Sequence, residues 1–154
     1  MTNRGASNTK GTWVDETDIR PTLLFLSGLH DDYLQDGRVI SQILTDPDHA
    51  LHGRAVTALS TCYKELDSSV GQFGAFTLIA STKAVKSSSP GDSLFNSVNA
   101  KLFALEKARD SLAQRIKDEL NDAAFWNVRV HDAKRQLRQC QALIGKAAVL
   151  ALSV

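Results

Sequence analysis

The chain has 154 residues, 43% hydrophobic and 23% charged, with a formal net charge of +1. A chain of that length buries one core of ordinary size, and its balanced charge argues against nucleic acid as a partner, because phosphate binding needs a concentrated basic surface. No apolar run approaches the ~18 residues of a membrane span, and the apolar patch at residues 23–26 is too short and too far from the start to be the core of a signal peptide.

Residues 1–11 are mostly Asn, Thr, Gly and Ser with two basic residues, which predicts a disordered tail. A short helix follows. Asp18 has the chemistry of an N-cap, Pro21 falls in the first turn where a missing N–H costs nothing, and Gly28 supplies the stop. Asp36-Gly37 is a turn signal, and Arg38-Val39-Ile40 after it is the sole strand-like stretch. Asp46-Pro47 repeats the cap-then-proline order. Three long amphipathic stretches come next. The first carries Leu59, Cys62 or Tyr63, Leu66, Val70 and Phe73, and the second Val98, Leu102, Leu105, Leu112 and Ile116, with Arg109 interrupting. The third carries Ala133, Leu137, Cys140, Ile144, Ala147 and Ala151. Each alternates steps of three and four, so one stripe faces a partner helix. Gly71 and Gly74 lie inside the first stretch and predict a kink or break. Ser87-Ser88-Ser89-Pro90-Gly91 reads as a loop, and Asn127 marks a second reversal after Phe125-Trp126. The expected fold is all-α: an antiparallel bundle of about three long helices over residues 46–154, preceded by the short helix. Cys62 and Cys140 fall on apolar faces. They are expected as buried free thiols, a bridge requiring that their helices pack side by side at matching height.

Reactive constellations are sparse. Asp46, His49 and His52, with Asp48, are the metal candidates, the histidines being three apart on one helix face. The competing reading makes Asp46 a cap and Asp48 a partner of the helix dipole, and no distant fourth ligand stands out. Asp31 and Asp32 are adjacent carboxylates in a polar, solvated loop. His30 and His131 have no Ser or Cys partner in sequence, and there is no phosphate loop, nucleophile elbow or zinc-type cysteine pair. Lys134, Arg135 and Arg138 form a solvated helix face. Phe125-Trp126 is expected to fill the end of the bundle. No catalytic residue and no cofactor of this chain emerges.

The segment Thr12-Trp13-Val14-Asp15-Glu16-Thr17-Asp18-Ile19-Arg20-Pro21-Thr22-Leu23-Leu24 resembles the closing segment of the catalytic domain in the alkaline phosphatase superfamily, which includes sulfatases and phosphodiesterases. The parts that carry the resemblance are Thr17, Asp18, Arg20, Pro21 and Thr22 at the helix start, Gly28-Leu29 at its end, and the turn Asp36, Gly37 and Arg38. Asp31-Asp32-Tyr33 between them looks most like a bacterial phosphoesterase branch. The stretches Val70-Gly71-Gln72-Phe73-Gly74 and Leu120-Asn121-Asp122-Ala123-Ala124-Phe125 look similar to the helical extension of that branch. The resemblance implies that residues 12–45 are the end of such a domain and 46–154 its extension. The metal ligands and nucleophile would then lie upstream of Met1, and the motif residues would be scaffold. It further implies a structural or assembly role, a separate catalytic domain as a partner, and export if the parent is exported. Position 16, a Glu here, is often a His in such sequences. An autonomous helical interaction module is the alternative. In either case the apolar helix at residues 22–29 covers more than one side of its wheel, which predicts a homo-oligomer, a dimer in the simplest case.

Overall fold

The computed structural model describes residues 14–33, 36–43, 53–87 and 92–154. Regular structure among them is entirely helical: α1 (Ile19–Leu26), α2 (Arg54–Asp67), α3 (Gln72–Lys86), α4 (Ser93–Phe125) and α5 (Ala133–Ser153), with 3-10 turns at Glu16–Asp18 and Ser41–Ile43. The predicted all-α class holds. Arg38, Val39 and Ile40 form no strand; they run without regular structure into the second 3-10 turn. The expected tail and the Asp46-Pro47 cap lie outside the described residues, as do Ser88, Ser89, Pro90 and Gly91 of the loop before α4.

Local signals act at the ends of α1. Asp15 opens the 3-10 turn before α1 with a reciprocal capping box, its side chain accepting from main-chain N–H groups ahead while the Asp18 carboxylate accepts from the Asp15 N–H. Asp18 stands at the N-cap of α1 but makes no side-chain cap bond to that helix, because its carboxylate is engaged elsewhere. At the other end Gly28 adopts a φ of 66°. The Leu29 N–H returns to the Leu24 carbonyl at 2.9 Å and the Gly28 N–H to Phe25 at 3.1 Å. That pair of bonds is a Schellman stop, and it needs a left-handed residue that glycine adopts without strain.

The described residues fall into two compact units, one drawn from Met1–Thr61 and Lys117–Ala133, the other from Cys62–Ile116 and Lys134–Val154. The first amphipathic stretch is two helices rather than one. The chain breaks at residues 68–71, where a Cβ on Gly71 would lie 2.6 Å from the Glu65 carbonyl oxygen and 2.7 Å from that of Lys64. Only a glycine lets the backbone approach so closely. The Glu65 carboxylate accepts from the Gln72 N–H at 2.9 Å and so caps α3. Val70, expected on the stripe, lies in the break and is exposed, whereas Leu66 and Phe73 on either side are buried.

Four helices of 14 residues or more therefore replace the expected three. Ala80 and Ala84 of α3, Val98 and Leu102 of α4, and Leu150 and Ala151 of α5 share one apolar cluster. The Lys83 ammonium donates to the Ala151 carbonyl at 2.9 Å. Arg109, which interrupts the apolar stripe of α4, donates to the Leu66 carbonyl at 3.3 Å and stands over the Phe73 ring. It closes the C-terminal end of α2 where free carbonyls remain. Leu105 and Leu137 are half-buried. On α5 the buried line is Gln136, Cys140, Leu143, Ala147, Leu150 and Ala151, one residue off the expected line at two positions. The helix carries aliphatic residues around much of its wheel, so period alone does not choose among neighbouring stripes.

Cys62 and Cys140 are joined as a disulfide, with Cα atoms 6.3 Å apart, and both are buried. The expectation of free thiols is corrected. The side-by-side packing that a bridge requires is met between α2 and α5.

Candidate functional site

Within the first unit, Thr17, Asp18 and Thr22 of the helix start come together with Gly37 and Arg38 of the turn. Asp18 is fully buried, and its Oδ1 accepts from the Arg38 N–H at 2.9 Å. One turn on, the Thr22 hydroxyl donates to the Asp18 carbonyl at 2.6 Å and accepts from the Ile40 N–H at 3.0 Å. The two side chains thus clasp residues 38–40 against the start of α1. Gly37 makes this possible: a Cβ there would fall 1.9 Å from the Thr17 carbonyl oxygen. Pro21 is buried in the first turn of α1. Its fixed φ suits that turn, and no N–H is lost from the helix ladder.

Arg38 is itself fully buried. Its guanidinium donates to the Val39 carbonyl at 3.2 Å and to Gln42 Oε1 at 3.3 Å. Two charged residues, Asp18 and Arg38, are thus taken from water in one small region, a cost of several kcal/mol per ion unless hydrogen bonds replace the lost hydration. Composition gave no sign of this; Arg38 looked like one residue of a turn. A signal was available in the Asp-Gly-Arg order, since the close approach at Gly37 places the next side chain inside.

The remaining named residues are peripheral. The exposed Arg20 pairs with Asp31 and stands 4.6 Å from the centre of the Tyr33 ring. Asp32 and Asp36 are exposed. His30 packs edge-on against Phe125 and beside Trp126, both at 5.2 Å between ring centres, and Phe25 meets Phe125 at 6.3 Å. Phe125 is half-buried, but Trp126 is 64% exposed, so Trp126 does not fill an apolar end as expected.

The clasp holds backbone to backbone. The Thr22 hydroxyl proton is directed at a main-chain carbonyl, and no base faces that hydroxyl in the bonds it makes. Among the described residues no group of three or more His, Cys, Asp or Glu is arranged to hold a metal ion. Asp46, His49 and His52 lie outside the described residues. Among the described residues no helix is long and apolar enough to cross a membrane.

Compared with family models, curated proteins and solved structures, the chain matches none.

Proposed function

We propose that this chain is the non-catalytic C-terminal portion of a hydrolase resembling the alkaline phosphatase superfamily, with a structural role on or beside a catalytic domain supplied elsewhere. The observation that carries the reading is the use made of Thr17, Asp18, Thr22, Gly37 and Arg38. Asp18 and Thr22 accept from the N–H groups of Arg38 and Ile40, and the missing Cβ of Gly37 lets that segment close on the Thr17 carbonyl, so all three link the same two segments. A motif spent on backbone is scaffold, the part that the resemblance assigns to it. The helices that follow form, on this reading, an antiparallel bundle that extends the scaffold. The test has two arms. The isolated chain is assayed with an aryl phosphate, an aryl phosphodiester and an aryl sulfate in the presence of zinc, calcium or manganese; no turnover is expected. The frame immediately upstream of the coding sequence is then read for a metal-ligand and nucleophile set, and its product co-purified with this chain. Turnover by the isolated chain that vanishes in His49→Ala overturns the reading.

A second reading is favoured by a separate observation. Ile19, Leu23 and Leu26 on one side of α1 are each more than half exposed, at 52%, 58% and 58%. Large aliphatic side chains in a row at steps of four and three are what a partner helix or groove covers. On this reading the chain is a self-associating helical module, a dimer in the simplest case. Light scattering over a dilution series decides: a monomer mass at every concentration removes it.

A further inference from the structure

We infer that the apolar stripe of α1 docks into a groove between α4 and α5 of a second copy of this chain. The inference rests on the self-association reading and names its surfaces. The groove lies within the second unit and has a volume of about 310 Å³. Leu112 and Leu143, both buried, are its apolar floor, and Ala108 and Ala142 add small walls. Its volume is at the bottom of the range for small-molecule pockets, about 300–1,000 Å³, and suits a few aliphatic side chains better than a cofactor.

Charge and length choose the occupant. Arg115 and Lys146 line the groove, both exposed, and among the described residues neither takes part in an ion pair. A basic groove pressed against its own copy would set like charges together, so a two-fold pairing of groove on groove is disfavoured. The occupant must be apolar with an acidic end. The α1 stripe has that character. Glu16, one turn before Ile19 and in step with Ile19, Leu23 and Leu26, is exposed and among the described residues makes no ion pair. Arg20, the neighbouring cation, is already paired with Asp31. The lengths agree as well. The groove-lining segments run from 108 to 115 and from 139 to 146, and α1 runs from 19 to 26. Each covers seven residue steps, about 10 Å of helix rise. In the docked state Leu23 and Leu26 enter over Leu112 and Leu143, and Glu16 meets Arg115 or Lys146 according to the direction of the helix. Two chains that exchange α1 helices reciprocally close into a dimer. The contact is small, so association in the micromolar range is expected.

The test is sedimentation velocity on the full chain over a dilution series at low salt, where surface charge pairs are least screened. The expected result is a concentration-dependent dimer. Glu16→Lys is expected to weaken it roughly fivefold to tenfold, and so is reversal of the paired cation, Arg115→Glu or Lys146→Glu. One of the double variants, Glu16→Lys with Arg115→Glu or Glu16→Lys with Lys146→Glu, is expected to return the affinity to within about twofold of the parent. Leu23→Ser is expected to abolish the dimer while far-ultraviolet circular dichroism is unchanged; if that variant loses helicity, the charge exchange still decides. A dimer insensitive to Glu16→Lys and Leu23→Ser overturns this docking and leaves the self-association reading standing. Single reversals that weaken the dimer without rescue in either double variant overturn the pairing. A monomer at every concentration overturns both.

Discussion

Gly37 and Gly145 show how differently one residue type can be constrained. A methyl group at position 37 has nowhere to go but into the Thr17 carbonyl, which belongs to a backbone already bound through Asp18. Gly37→Ala is expected to cost more than about 2 kcal/mol, read as a fall in the thermal midpoint, because the clasp must open to admit the methyl. Gly145 lies inside α5, with nothing within 4 Å of the position its Cβ would take. Gly145→Ala should raise the midpoint, by about 0.5–1 kcal/mol of stability, through helix propensity and the lost freedom of the unfolded chain. Equal effects of the two substitutions would show that the close approach at Gly37 does not constrain the fold. Asp18 belongs to the same cluster. Asp18→Ala leaves the buried Arg38 N–H without its acceptor, a loss of about 1–3 kcal/mol. Asp18→Asn keeps a carbonyl oxygen at that position and should cost less; chemical denaturation of the two variants measures the difference.

Among the helices, the disulfide and the apolar stripes make separable contributions. Cys62 and Cys140 are 78 residues apart in sequence and join α2 to α5. Closing so long a loop restricts the unfolded chain by about 4–5 kcal/mol in the chain-entropy picture. The double variant Cys62→Ala with Cys140→Ala, or the parent held in reductant, should lose a large part of its stability; alkylation before and after reduction counts the thiols. A melt unchanged by reductant would mean that the bond contributes nothing to the fold. Ile116 of α4 is fully buried, so Ile116→Ala should cost about 2–5 kcal/mol. Leu105 and Leu137, on the expected stripes but half-buried, should tolerate truncation at less than half that cost. The order of these three melts tests which face of each helix is inside.

For the whole molecule, what was legible was local. Pro21, Gly28, the interruption near Gly71 and the end of α4 near Asn127 could be read because each acts on the backbone of its own neighbourhood. Asn127 adopts a φ of 52°, and the Val128 N–H reaches back to the Asp122 carbonyl at 3.2 Å. The apolar periods of α2, α4 and α5 were legible for the same reason: a helix repeats every 3.6 residues whatever it packs against. The clasp was visible only as motif residues. Its physical content is a hydrogen bond across 20 residues of sequence, and no window of sequence contains both ends.

The sequence by itself determined the helical class, most helix ends and which residue types could be buried, since these follow from backbone sterics and hydrophobic period. Tertiary structure alone decided that Asp18 turns one carboxylate oxygen to the Arg38 N–H rather than to the N-terminus of α1, and that Arg38 is inside. It also decided that two cysteines 78 residues apart become one bond. Each of these depends on where distant segments meet, and chemistry that permits several partners is settled only by the one that packing brings within reach.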